Sequence, residues 1–452
     1  MKDANFLTAH NAQNVWHPMS YPGALKETPP KIIVGAEGVE IIDVNGHRLL
    51  DGVGGLWNMN LGYSNAPIKA AIAKQLDRLP YYSIFNGTTH DMAIELSVML
   101  AEFFAPDGLS RAFFTSGGSD SVEITLRLAR QYHKIRGEAG RVKFLSLKKG
   151  YHGTHTLGAS VNGNTAFRTS YEPLMPGCFH IPAPNPYRNP FDESDPAQLA
   201  QLCLAALEAE IDFQSADTIA AFIMEPILGA GGVIVPHESF MPGVREICDR
   251  HGILLISDEV ITAFGRTGDS TGARHWGVKP DLLSCAKAIT NGYFPFGAAM
   301  ISDQVAEVFE KDESGRAGLY TGYTYSGHPV GAAAALACLQ ETTRLNVPAN
   351  AAARGTQLFD GIVALQDKHE LIGHVRGGHG LMTAVELVSD RSAKTPLDAA
   401  SMKVIHGTAY EAGVMLRVSG NNLIMSPPLI ITPEDVEKIL AAIDHALSTA
   451  AA

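Results

Sequence analysis

"GILLISDEV", residues Gly252–Val260, decides the architecture of this chain. Its first half is apolar without alternation, and it stops abruptly on two acids, Asp258 and Glu259. A strand with one wet face alternates apolar and polar residues. A strand covered on both faces does not, and such strands belong to parallel sheets flanked by helices. The same texture recurs in "RAFFTS" (Arg111–Ser116), "KFLSL" (Lys143–Leu147) and "IAAFIMEPI" (Ile219–Ile227). Helical stretches separate these runs from about Asn65 to Thr324, so the expected class is α/β with a mostly parallel sheet.

Outside this region the pattern changes. "VEIIDVNGHRLLD" (Val39–Asp51) reads as a hairpin around Asn45-Gly46, a dipeptide suited to a two-residue turn with positive φ at both positions. After Gly327 the chain turns helical, then returns to strand-like runs in Gly380–Leu387 and Val414–Ile431. The expected division is a large domain over 65–328 and a smaller α+β domain built from both chain ends, 1–64 and 329–452. Tyr81 and Tyr82 read as plain core, and "GAAAALACL" (Gly331–Leu339) as a packed helix too short to cross a bilayer.

Composition narrows the function classes. The 452 residues are 46% hydrophobic and carry a net charge of -12 with 35 Lys+Arg, which argues against nucleic-acid binding. Five scattered cysteines without a CxxC pair fit reduced thiols, and no signal-peptide apolar run opens the chain, so a cytoplasmic protein that binds no membrane is expected. His152 and His155 lack the H-E-x-x-H spacing of a zinc hydrolase, no metal site is expected, and no G-x-S-x-G elbow supports a serine esterase.

Chemistry gathers at three strand ends. Gly117-Gly118-Ser119 follows a strand and opens a helix whose apolar face is Val122, Leu126 and Ala129, with Asp120 and Glu123 as a capping pair. Such a turn offers backbone N–H groups to a phosphate, although a tight turn alone would explain two adjacent glycines. Asp258 and Val260 share a face two residues apart, so a carboxylate could hold a heteroaromatic nitrogen protonated while Val260 packs under the ring. Lys287 follows the run Leu282–Cys285 just before the break at Asn291-Gly292, where burial would make its amine a nucleophile. In a parallel sheet these ends share one edge. One cofactor needs all three features: pyridoxal 5'-phosphate.

The chain also resembles the class III aminotransferases, and the strings that carry the resemblance run in family order. They are "WHPMSYP", "GLWNMNLGYS", "FFTSGGSDSVE", "YHG", "EPILGAGG", "DEVITAFGRTG", "AKAITNGYFPFGA" and "TYSGHPVGAAAAL". The resemblance implies fold-type I and a homodimer with shared active sites, with dimers or tetramers both compatible. It makes Lys287 the Schiff-base lysine, Asp258 the partner of the ring nitrogen and Val260 the residue behind the ring. It implies Tyr151 stacked on the other face, Gly117, Gly118 and Ser119 on the phosphate, Glu225 near the ring substituents and Thr324 on the neighbouring subunit's phosphate. Where members often read N-S-G-S-E, this chain has Ser116-Gly117-Gly118-Ser119-Asp120, so a backbone donor would replace a hydroxyl at Gly117.

The resemblance extends to substrates. Ala230 stands where ornithine and γ-aminobutyrate enzymes carry glutamate, and Arg417 resembles the mobile arginine of the ω-amino acid and amine:pyruvate group. Leu56, Trp57, Phe85 and Tyr151 match an apolar pocket of that group. The implied activity moves an amino group from a primary amine or ω-amino acid to pyruvate in a ping-pong cycle, with pyridoxamine phosphate as the alternate cofactor form. A β-alanine (or taurine):pyruvate aminotransferase is the alternative. An aminomutase or decarboxylase fits less well, and a DNA-binding regulator lacks room, since the family-like strings begin at Trp16.

Overall fold

The computed structural model describes residues 3–85 and 87–451. Its central sheet has seven strands, in the order Leu109–Thr115, Gly297–Ser302, Leu282–Cys285, Leu254–Asp258, Ile219–Met224, Lys143–Leu147 and Cys178–Ile181. Gly297–Ser302 runs antiparallel to both neighbours; the other pairings are parallel. Leu254–Asp258, the middle strand, is buried at every residue, as its unalternating texture requires. Leu255 and Phe222 join one apolar core, while Leu254, Ile256 and Ile223 join another. Successive side chains thus feed opposite faces, and each full burial contributes about 1.5–3 kcal/mol.

Two smaller sheets stand outside this one. One joins Ile33–Glu37, Glu40–Asp43, Arg48–Asp51 and Val414–Met415, the last parallel to Arg48–Asp51. The other is antiparallel and follows the order Ile372–Arg376, Thr383–Asp390, Asn422–Met425, Arg417–Ser419, with Thr395–Pro396 paired to Thr383–Asp390. The helix Pro329–Arg344, which contains the alanine-rich run, is buried along most of its length.

Two expectations are corrected here. The hairpin forms, but of the two turn residues only Gly46 has positive φ. Asp43 closes the loop instead, its Oδ1 accepting the N–H groups of Asn45 (2.8 Å) and His47 (2.9 Å). A side chain that mimics a backbone turn removes the need for a second left-handed residue. Tyr81 and Tyr82 are not core: both are exposed, beside Phe85 and across from the loop that carries Tyr320 and Tyr325. Among the described residues, no helix is long and apolar enough to cross a membrane.

Candidate active site

The three expected strand ends open on one cavity of about 360 Å³, which Gly117, Gly118, Ser119, Tyr151, Glu225, Asp258, Val260 and Lys287 all line. The strand Leu282–Cys285 ends one residue before Ala286, and Lys287 then takes a left-handed φ of 48° at the head of the short turn Lys287–Thr290. That conformation costs a non-glycine residue about 1–2 kcal/mol, so its surroundings must hold it. Asn291, at the predicted break, does so: its Oδ1 accepts the N–H of Leu61 (2.7 Å) and its Nδ2 donates to the Gly62 carbonyl (2.8 Å).

The Lys287 amine has no hydrogen-bond partner among the described residues, and its accessible surface opens into the cavity. Desolvation by the surrounding protein lowers it to about 8, against the pull of the Asp258 and Glu225 carboxylates and with help from the Arg417 charge. The sign fixes a pH dependence. Roughly a tenth of the amine is neutral at pH 7, against less than about one in a thousand for an ordinary lysine. In protein freed of cofactor, labelling of Lys287 by an amine-directed reagent should rise tenfold per pH unit and level off near pH 8. Peptide mapping reads it, and labelling that climbs alongside the surface lysines to pH 10 would refute a desolvated amine.

Asp258 is 4% exposed, and its Oδ2 lies 2.8 Å from Nδ1 of His152, itself buried. Its Oδ1 accepts the Val260 N–H at 3.2 Å, an Asx turn at the strand end. His152 is the site residue that sequence reasoning missed. "YHG" points to its tyrosine, whereas the His152–Asp258 pair bridges 106 positions. His152 Nε2 is buried without a hydrogen-bond partner among the described residues. Glu225 is gripped by the N–H groups of Tyr151 (2.8 Å) and Gly229 (2.9 Å). Burial raises its carboxyl to about 7, and the like charge of Asp258 adds to this against His152 and the two N–H groups.

The helix Gly118–Ile135 begins without the expected capping pair. Asp120 Oδ2 accepts the N–H of Ser116 (3.0 Å) while Oδ1 meets His155 Nε2 (2.6 Å). Glu123 accepts the N–H of Leu157 (3.1 Å) and pairs with Arg127. Among the described residues no side chain caps the helix N-terminus, and its first residues, Gly118 and Ser119, line the cavity with Gly117. A Cβ on Gly118 would come within 2.9 Å of Val260 Cγ1, so the space above Val260 depends on a residue without one.

Six expected residues stand apart from the cavity wall of this chain. Trp57 is 1% exposed in the apolar core that includes Ile261, and its indole N–H has no partner among the described residues. Leu56 and Phe85 are exposed, Ala230 is half-buried, and Thr324 is exposed with its carbonyl accepting the Tyr81 hydroxyl (2.7 Å). Arg417 is half-buried. Its guanidinium has no hydrogen bond or ion pair among the described residues, yet its charge acts on both Lys287 and Tyr151.

Comparison with known proteins agrees with this chemistry. The sequence model of one family, aminotransferase class-III, matches residues 23–447. The chain is similar to an amine transaminase from an uncultivated Pseudomonas species, solved with pyridoxal phosphate bound. The two are 45% identical with a TM-score of 0.95 over 97% of this chain and 99% of that one. It is 36% identical to the adenosylmethionine-8-amino-7-oxononanoate aminotransferase of Geobacter sulfurreducens, covering 99% of this chain and 98% of the relative. It is 34% identical to the putrescine–pyruvate aminotransferase of Pseudomonas aeruginosa, covering 95% and 92%.

Proposed function

The chain belongs to the class III aminotransferases, pyridoxal-phosphate enzymes of fold-type I, and from that premise we propose that it moves the amino group of a primary amine or ω-amino acid to pyruvate. The cavity fits the family's cofactor on its own terms. It joins a partnerless desolvated amine, a buried carboxylate backed by a histidine, an uncapped helix N-terminus and the cleared space over Val260. Pyridoxal phosphate, when bound, supplies a carbonyl that condenses with amines and a ring that draws electrons from the substrate carbon.

In this reading Gly117, Gly118 and Ser119 hold the phosphate through N–H groups and the helix dipole. Asp258 would keep the ring nitrogen protonated, with His152 fixing the carboxylate. Val260 and Tyr151 would flank the ring, and Glu225 would stand near its substituents. The Lys287 amine, its neutral fraction raised by burial, would take the proton from the substrate carbon and return it two atoms away.

Arg417 carries the choice of acceptor. A half-buried guanidinium with no partner among the described residues, whose field reaches Lys287, is a site for a carboxylate, and pyruvate has one. Ala230 places no competing acid in its stretch of chain. A donor amine without a carboxylate needs no such contact and would meet the apolar residues Leu56, Trp57 and Phe85. Arg417→Ala should lower kcat/KM for pyruvate about 30- to 100-fold, the loss of a bidentate charged pair, while the half-reaction with 1-phenylethylamine stays within about threefold. Equal losses on both substrates would overturn this role.

The same reading makes the protein a homodimer. Tyr81, Tyr82, Phe85, Leu319, Tyr320 and Tyr325 form an exposed apolar surface on two segments tied by the Tyr81–Thr324 bond. A second copy packed there would bring Thr324 and Phe85 toward its neighbour's cavity. The division into 65–328 and a unit built from both ends is supported by Val414–Met415 pairing with Arg48–Asp51.

A further inference from the structure

Between the cavity and the hairpin that carries Arg417 lies a second arginine that neither the motifs nor the proposed chemistry uses. Arg376 ends the strand Ile372–Arg376 and is 5% exposed. Its guanidinium divides its donors among three pieces of chain. Nε donates to the Gly232 carbonyl (2.7 Å), Nη1 to Glu386 Oε2 (2.8 Å), and Nη2 to Asn422 Oδ1. We propose that Arg376 is a positioning residue for the acceptor carboxylate: it fixes the Arg417 hairpin against the loop that starts at Glu225.

Each link is a direct bond. Glu225 lines the cavity and accepts the Gly229 N–H, and Gly229 accepts the Gly232 N–H (3.1 Å). Ala230 sits inside that turn. From Gly232 the connection crosses Arg376 to Asn422, whose Nδ2 donates to the Ser419 carbonyl (3.2 Å). Ser419 pairs with Asn422 and Arg417 with Ile424 in the same two-stranded hairpin. The Arg417 guanidinium has no hydrogen bond or ion pair among the described residues, so its distance from Lys287 is set by where that hairpin stands. The rigid planar fork meets a carbonyl, a carboxylate and an amide in a fixed mutual geometry. Glu386 is held independently by Arg188 Nε (2.5 Å), so removing Arg376 does not leave this carboxylate unpaired.

The inference rests on Arg417 as the carboxylate anchor, and the experiment separates the two. Holoenzyme variants Arg376→Gln, Asn422→Ala, Arg417→Ala and the double Arg376→Gln/Arg417→Ala are compared for KM and kcat with pyruvate and 1-phenylethylamine. Calorimetric binding of propionate, an unreactive carboxylate, and the melting temperature are read beside them. Arg376→Gln and Asn422→Ala should each raise pyruvate KM and propionate Kd about tenfold, with amine KM and kcat within about twofold. The double variant should bind pyruvate no worse than Arg417→Ala alone, because one residue acts through the other. Unchanged pyruvate KM in Arg376→Gln and Asn422→Ala, with Arg417→Ala impaired, overturns the positioning role and leaves Arg417 standing. An unimpaired Arg417→Ala overturns the anchor itself. Parallel losses on both substrates, or additive losses in the double variant, reduce Arg376 to a structural brace. Asn422→Ala leaves the Arg376–Glu386 pair intact, so the test survives if Arg376→Gln does not fold.

Discussion

Lys287→Ala is expected to leave a folded protein whose transamination falls on the order of 10^5- to 10^6-fold, the loss seen when a residue acts as both nucleophile and base. The amine has no partner among the described residues, so its removal orphans no hydrogen bond. Alanine keeps the left-handed backbone at 287, which Asn291 holds from the far side of the turn. The melting temperature should therefore stay within about 4 °C of the parent. The fall in kcat belongs to two duties at once: no amine remains to exchange the incoming donor, and none to carry the substrate proton. A variant that keeps more than about 1% of parental kcat would remove Lys287 from the chemistry.

Asp258→Asn is the second large effect, and it separates charge from shape. Asparagine is nearly isosteric: its amide oxygen can still accept the Val260 N–H, and its amide nitrogen then donates to His152 Nδ1 in the tautomer that accepts there. What disappears is the negative charge at the buried end of the central strand, where low dielectric makes it effective. The expected loss in kcat is about 10^3- to 10^4-fold with little change in melting temperature. A second reading follows from the field at Lys287. Asp258 raises the amine, so its neutralisation should move the Lys287 labelling midpoint below about 8. A kcat loss under about tenfold would mean the ring nitrogen does not depend on this carboxylate.

These residues were legible for a reason rooted in the sheet. Unalternating runs identify strands covered on both faces, and a residue that ends such a run or follows it within a few positions has to lie near the sheet edge. Gly118, Asp258 and Lys287 share that property, and the cavity opens where the three meet. The supports were not legible, because they form between distant segments. His152 meets Asp258 across 106 positions and Arg376 meets Gly232 across 144; neither spacing leaves a periodic trace. Local chemistry also competed with expectation. Asp120 satisfies the N–H of Ser116 behind the helix rather than a donor inside it, which frees the helix end for an anion. At the hairpin, Asp43 replaced backbone strain at Asn45 with two hydrogen bonds. Tyr81 and Tyr82 show the remaining weakness: an aromatic pair reads the same in a core and on an exposed face.

The most direct test supplies purified, cofactor-loaded protein with (S)-1-phenylethylamine and pyruvate and follows both products by chromatography. The account predicts acetophenone and alanine in equal amounts, abolished by Lys287→Ala and slowed at the pyruvate step by Arg417→Ala. Glutamate formed from 2-oxoglutarate, with no alanine from pyruvate under any amine donor, would contradict it.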